Sequence, residues 1–148
     1  MTEKKRTSRT GKGFTMVELM AVLIILGLLF GLVAKKVSDK IDQARVTTTK
    51  ANLKELHTLV NQFYMDTGRY PSEELGLTEL IEQPPDVISY PPGGYLETTE
   101  IPKDAWAQEF IYERFPPSGK EFVIVSFGAD KEEGGEGYNK DLLSTDAF

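Results

Sequence analysis

The chain has 148 residues, no cysteine, a single histidine and a formal net charge of −6. A disulfide framework is therefore excluded, and a zinc site, which would need unusual all-carboxylate ligation, is discounted. The charge is uneven. Residues 1–13 hold five basic side chains and one acidic one, so the rest of the chain carries −10, which argues against nucleic acid as a partner.

Residues 1–13 are polar and basic, with Lys4, Lys5, Arg6, Arg9 and Lys12 and no apolar periodicity. Residues 19–34 carry no charge. With residues 14–18 in front they predict a helix of about 20 residues, enough to cross a bilayer core of about 30 Å. Lys35 and Lys36 follow at once. Glu18 does not suit a plain anchor. A carboxylate at the entrance of an apolar span costs about 2.5–3.5 kcal/mol on insertion scales and needs a partner. A secretory signal peptide is also a poor fit, because it is cut after its apolar run and no small-x-small site is placed well after Ala34. Gly27 and Gly31 form a G-x-x-x-G pair that permits close helix approach.

The helical pattern runs on to about Asp66, with no proline before Pro71 and no glycine between Gly31 and Gly68. Val37, Ile41, Ala44, Ala51, Leu53, Leu56, Val60 and Phe63 fall mostly three, four or seven apart, as in an amphipathic helix, with a slip near Ala51. Gly68 ends it. Residues 70–83 predict a short helix capped by Ser72, with Leu77, Leu80 and Ile81 facing the core and Pro84-Pro85 stopping it. Residues 86–103 read as loop, with a short strand at residues 94–96. Residues 109–115 and 121–127 are rich in β-branched and aromatic side chains and predict a hairpin with a five-residue loop. Residues 128–148 form an acidic, glycine-rich tail. The fold class expected is α+β, a long N-terminal helix packed on a small antiparallel sheet. His57 reads as a surface or packing residue. No Ser-His-Asp arrangement, P-loop or dinucleotide fingerprint stands out, so catalysis is not expected.

Lys12-Gly13-Phe14-Thr15-Met16-Val17-Glu18, with the basic segment before it and the apolar run after it, resembles the class III signal of type IV pilins and type II secretion pseudopilins. The resemblance implies cleavage by a prepilin peptidase between Gly13 and Phe14 and N-methylation of Phe14. It also implies that Glu18 of one subunit neutralises the Phe14 amine of a neighbour. The soluble blocks narrow the family. Residues 70–77 (YPSEELGL), 94–96 (GYL), 101–106 (IPKDAW), 126–130 (SFGAD) and 134–137 (GGEG) resemble type II secretion major pseudopilins, within the type IV pilin-like superfamily.

That resemblance implies a cleaved leader at residues 1–13, a transmembrane assembly helix at 14–36 and a periplasmic domain at 37–148, single-pass in a bacterial inner membrane. It implies a homo-oligomeric helical filament, with minor pseudopilins, secretion-platform proteins and the prepilin peptidase as partners, that drives folded proteins through the outer membrane. It further implies a calcium loop after the last strand, with side-chain oxygens from Asp130 and Asp141 and backbone carbonyls from Phe127 and Glu132. Calcium takes several oxygen ligands from a flexible loop, and glycines let such a loop curl its carbonyls inward. The loop lacks EF-hand spacing. The chain departs from the family pattern in three places. Lys35 stands where the family often has proline. Asp104-Ala105-Trp106-Ala107 stands for Asp-Pro-Trp-Gly. Lys140 replaces an acidic residue beside Asp141. The alternatives are a type IV pilin, a minor pseudopilin, or a membrane-anchored periplasmic binding module that stays monomeric.

Overall fold

The computed structural model describes residues 13–147. The expected leader lies outside the described residues except for Gly13. The chain divides into two compact units, Met1–Asp39 and Lys40–Phe148.

Helix α1 is Met16–Thr67, 52 residues without a break, so the missing proline at Lys35 is matched by continuous helix there. Its apolar start is exposed in the single chain, Phe30 to 71% for example. The buried stripe begins only at Thr49 and continues through Leu53, Leu56, Val60 and Phe63. The amphipathic pattern from Val37 is thus packed on its own domain only in the part expected, from about Leu53 onward, while Val37 and Ile41 are half exposed and Ala44 and Ala51 are exposed. Each fully buried Leu or Phe on the stripe contributes about 1.5–3 kcal/mol. Gly68 ends the helix as expected. It takes φ 78° and donates its N–H to the Tyr64 carbonyl at 2.8 Å.

The short helix after Ser72 is a single 3₁₀ turn, Gly76–Leu80. Ser72 does not cap it: Leu75 holds the N-cap position without a side-chain hydrogen bond, and Ser72 closes the turn before it by accepting the Leu75 N–H at 3.2 Å, while Leu77 and Leu80 are buried. Residues 94–96 are not a strand. Their backbone instead docks on the 3₁₀ turn, with the Tyr95 N–H donating to the Leu80 carbonyl at 2.8 Å.

The sheet has three antiparallel strands in the order β1 (Ile111–Arg114), β2 (Phe122–Ser126), β3 (Leu142–Leu143). The hairpin was legible, though its strands are shorter than expected; the third strand lies inside what reads as an acidic tail. Tyr112 pairs with Ile124, Arg114 with Phe122 and Val125 with Leu143. Central β2 is buried throughout. Phe122 and Ile124 join Phe110, Leu77, Leu80 and the α1 stripe in one core cluster.

A polar network braces this core. Glu79 is 1% exposed. Its carboxylate accepts the Ser72 N–H and hydroxyl at 3.0 and 2.5 Å and Arg69 Nη1 at 2.6 Å. The same guanidinium clamps Asp86 through Nε and Nη2 at 2.7 and 2.8 Å. A buried charge is tolerated only when paired and hydrogen-bonded in this way.

Candidate functional site

Two places carry the expected site residues, the entrance of α1 and the loop between β2 and β3.

At the entrance, residues 13–15 are not helical, and the Gly13–Phe14 bond lies in open backbone with Phe14 79% exposed. Thr15 is the N-cap. Its Oγ1 accepts the Glu18 N–H at 3.1 Å, and Glu18 Oε2 accepts the Thr15 N–H at 3.3 Å. This reciprocal pair is a capping box, which satisfies two of the backbone donors that a helix start leaves open. The T-x-x-E spacing of Thr15 and Glu18 carries this signal in the sequence, and reading Glu18 only as an anomaly in an apolar span misses it. Within one chain, therefore, Glu18 is aimed at the N-terminal end of α1, next to Phe14.

At the loop, the expected ligand residues meet different environments. Phe127 is partly buried, Asp130 and Glu132 are exposed, and Asp141 is partly buried. Asp130 Oδ1 accepts the Glu132 N–H at 3.3 Å. Asp141 is the better organised. Its N–H donates to the Gly134 carbonyl at 3.1 Å and its Oδ2 accepts the Gly134 N–H at 2.9 Å. Its Oδ1 is buried with no hydrogen-bond partner. Such an orphaned carboxylate oxygen needs a cation or a donor. The loop is drawn tight around residues 138–140. A Cβ added at Gly128 would sit 2.9 Å from the Tyr138 carbonyl oxygen and 3.0 Å from that of Lys140, and one at Gly135 would strike the Asn139 carbonyl. The expected loop position is corrected, since β3 follows the loop and returns residue 143 to β2. Among the described residues no three Asp, Glu or His side chains converge on one point. A metal there would lean on backbone carbonyls as well as carboxylates.

Upstream, Asp104 is buried and holds the turn that leads into β1. Its Oδ1 accepts the Trp106 and Gln108 N–H groups at 2.9 and 2.8 Å, and its Oδ2 accepts the Ser126 hydroxyl at 2.6 Å. Ala107 takes φ 63°, the left-handed conformation that suits the family's glycine. Gln108 reaches on, donating from Nε2 to the Gly128 carbonyl at 3.1 Å, and so ties this turn to the acidic loop. His57 packs on Phe122 with ring centroids 4.6 Å apart, and its Nδ1 lies 3.1 Å from Ser144 Oγ.

The family model for type II secretion system protein G matches residues 36–145, which hold the sheet, the Asp104 turn and the loop. The chain belongs to the type II secretion system protein G family. A second model, the prokaryotic N-terminal methylation motif, matches residues 8–34. The type II secretion system core protein G of Pseudomonas aeruginosa is 34% identical over 141 residues, covering 93% of this chain and 97% of that one. The protein of the same name from Vibrio cholerae is 32% identical, covering 94% and 93%. A crystal structure of the major pseudopilin from the type 2 secretion system of enterohaemorrhagic Escherichia coli superposes with a TM-score of 0.57 at 25% identity, covering 69% of this chain and 87% of that one. The fold of the protein G chain is thus pilin-like, and α1 supplies a segment long and apolar enough to cross a membrane.

Proposed function

We propose that this protein G family member is the major subunit of a type II secretion pseudopilus. A prepilin peptidase removes residues 1–13, Phe14 becomes the methylated N-terminus, and the chain sits in the inner membrane with residues 37–148 in the periplasm. It then polymerises into a filament that drives folded proteins through the outer membrane. Its role is structural rather than catalytic. The observation that carries the reading is that the methylation motif and the protein G model meet end to end in one chain, at residues 8–34 and 36–145. The Glu18 capping box supports a role at the new N-terminus. Cleavage leaves a cationic amine at Phe14, beside a carboxylate already directed there, and a neighbour's amine can be met by the same group.

The loop is read as a calcium site held by Asp130 and Asp141 side chains and the Phe127 and Glu132 carbonyls. The unpartnered Asp141 Oδ1 and the glycine-tight turn around residues 138–140 support that fit. The ion supplies a cross-link between loop segments, while Asp141 itself links the loop to β3.

Intact mass and N-terminal sequencing of the protein from its own membranes test the reading. A chain beginning at N-methylated Phe14 is expected. A chain beginning at Met1 in cells with an active peptidase would sink the filament mechanism.

A further inference from the structure

Residues 35–48 of α1 have little of their own chain against them. Only Asp42 and Val46 are partly covered, and Val37 and Ile41, one helical turn apart, are 51% and 48% exposed. The stretch lies inside the continuous α1, so it presents a formed helical face. Its charge is one-sided. Residues 35–54 carry six cations against Asp39 and Asp42. The rest has the opposite sign, with 18 carboxylates and six cations in residues 56–148.

Beside the 3₁₀ turn Gly76–Leu80 lies an open groove of about 650 Å³. Leu77 and Phe110 lie at its floor, and Glu73, Glu74, Glu82 and Glu100 line it. None of these four glutamates has an ion-pair partner among the described residues; the groove's lysine, Lys103, lies 3.9 Å from Glu109. The carboxylates do not converge as a metal site would require. Carboxylates beside an apolar floor match a row of cations beside an apolar row. On α1, Lys36 and Lys40, four residues apart, form the cationic row, and Val37 and Ile41 form the apolar row next to it.

We infer that this groove receives residues 36–41 of α1 from a second copy of the chain, with Ile41 over the apolar floor and Lys36 and Lys40 against the acidic walls. The inference rests on the filament reading and names a contact within it. Charge complementarity selects this occupant, because a second acidic surface would be repelled and the exposed helix face is the chain's own basic one.

The test uses the full chain in cells that assemble the filament. The chain has no cysteine, so an introduced pair reports without background. One tagged copy carries Lys40→Cys and another carries Glu74→Cys. Mild oxidation of sheared filaments is expected to give a covalent dimer, and Ser118→Cys in place of Glu74→Cys is expected to give none. Lys36→Glu with Lys40→Glu is expected to lower filament yield roughly tenfold, as two exposed ion pairs turned repulsive would. Adding Glu74→Lys and Glu100→Lys is expected to restore most of it. Normal yield from the reversed chain, or filaments with no cross-link at this pair, overturns the contact and leaves the filament reading standing. A wild-type chain that makes no filament overturns that reading, and the contact with it.

Discussion

Thr15 and Glu18 satisfy each other at the start of α1, and this divides two roles that a Glu18 variant alone would confound. Losing a cap costs about 0.5–2 kcal/mol of helix stability. On the proposed reading, Glu18 is also the counter-charge of a neighbour's Phe14 amine, and its loss removes that pairing. Thr15→Ala is therefore expected to leave assembly largely intact, whereas Glu18→Ala is expected to abolish sheared filaments while the soluble domain melts normally. Equal, mild losses from both variants would reduce Glu18 to a cap. Ala107 argues in the opposite direction. Its φ of 63° places an L side chain where the conformation costs about 1–2 kcal/mol, and glycine relieves that at some cost in unfolded-chain entropy. Ala107→Gly is expected to raise stability by about 0.5–1 kcal/mol in urea denaturation. No gain would mean that the methyl makes contacts worth as much as the strain.

The third strand shows where element-level reading stopped. Residues 109–115 and 121–127 announce themselves by clustered β-branched and aromatic side chains. Leu142-Leu143 is two residues long and flanked by charged and polar ones, so local composition holds too little signal. What fixes it is tertiary. Ser144 is fully buried, and its Oγ accepts the Ile124 N–H at 3.1 Å while facing His57 Nδ1 at 3.1 Å. The hydroxyl and the ring nitrogen share one hydrogen bond, with the ring's tautomer deciding which of them donates. For the same reason the calcium role expected of the loop rests on family likeness, since Asp141 is positioned by β3 and by Gly134 rather than by spacing. In the 3₁₀ turn Gly76–Leu80, Leu77 and Leu80 keep a three-residue spacing that either helix type allows, so the sequence marks a helical segment there without its type. Burial pushes His57 below its ordinary pKa of 6.5. The unfolded chain therefore takes up a proton first as pH falls, and stability declines from about pH 6.5 until the folded ring protonates. Asp86 acts in a separate window. The Arg69 hydrogen bonds hold its carboxyl below 3.8, so its contribution is lost only in stronger acid. Urea midpoints at pH 7.5 and 5.5 are expected to fall for the wild type and to change less for His57→Gln. Parallel losses in the two would assign the decline to other groups.

Across the whole molecule the governing quantity is charge. After removal of residues 1–13 the chain carries −10, and like charge at that density opposes both compaction and close packing of copies. Simple salt is therefore expected to stabilise the mature protein modestly by screening. Calcium acts differently if it occupies the loop. A ligand that binds only the folded state adds about 2.7 kcal/mol at a hundredfold excess over its Kd, regardless of net charge. Melting the mature protein in detergent at matched ionic strength, with sodium, magnesium or calcium chloride, separates the two effects. Calcium is expected to raise Tm beyond the shared salt increment. Asp141→Asn keeps the side-chain shape but removes the charge of the carboxylate whose Oδ1 is buried without a partner, so it is expected to abolish the calcium increment and leave the salt increment unchanged. If magnesium matches calcium, or if Asp141→Asn retains the full increment, screening alone accounts for the effect and the loop is held by its glycines and by the Asp141–Gly134 hydrogen bonds.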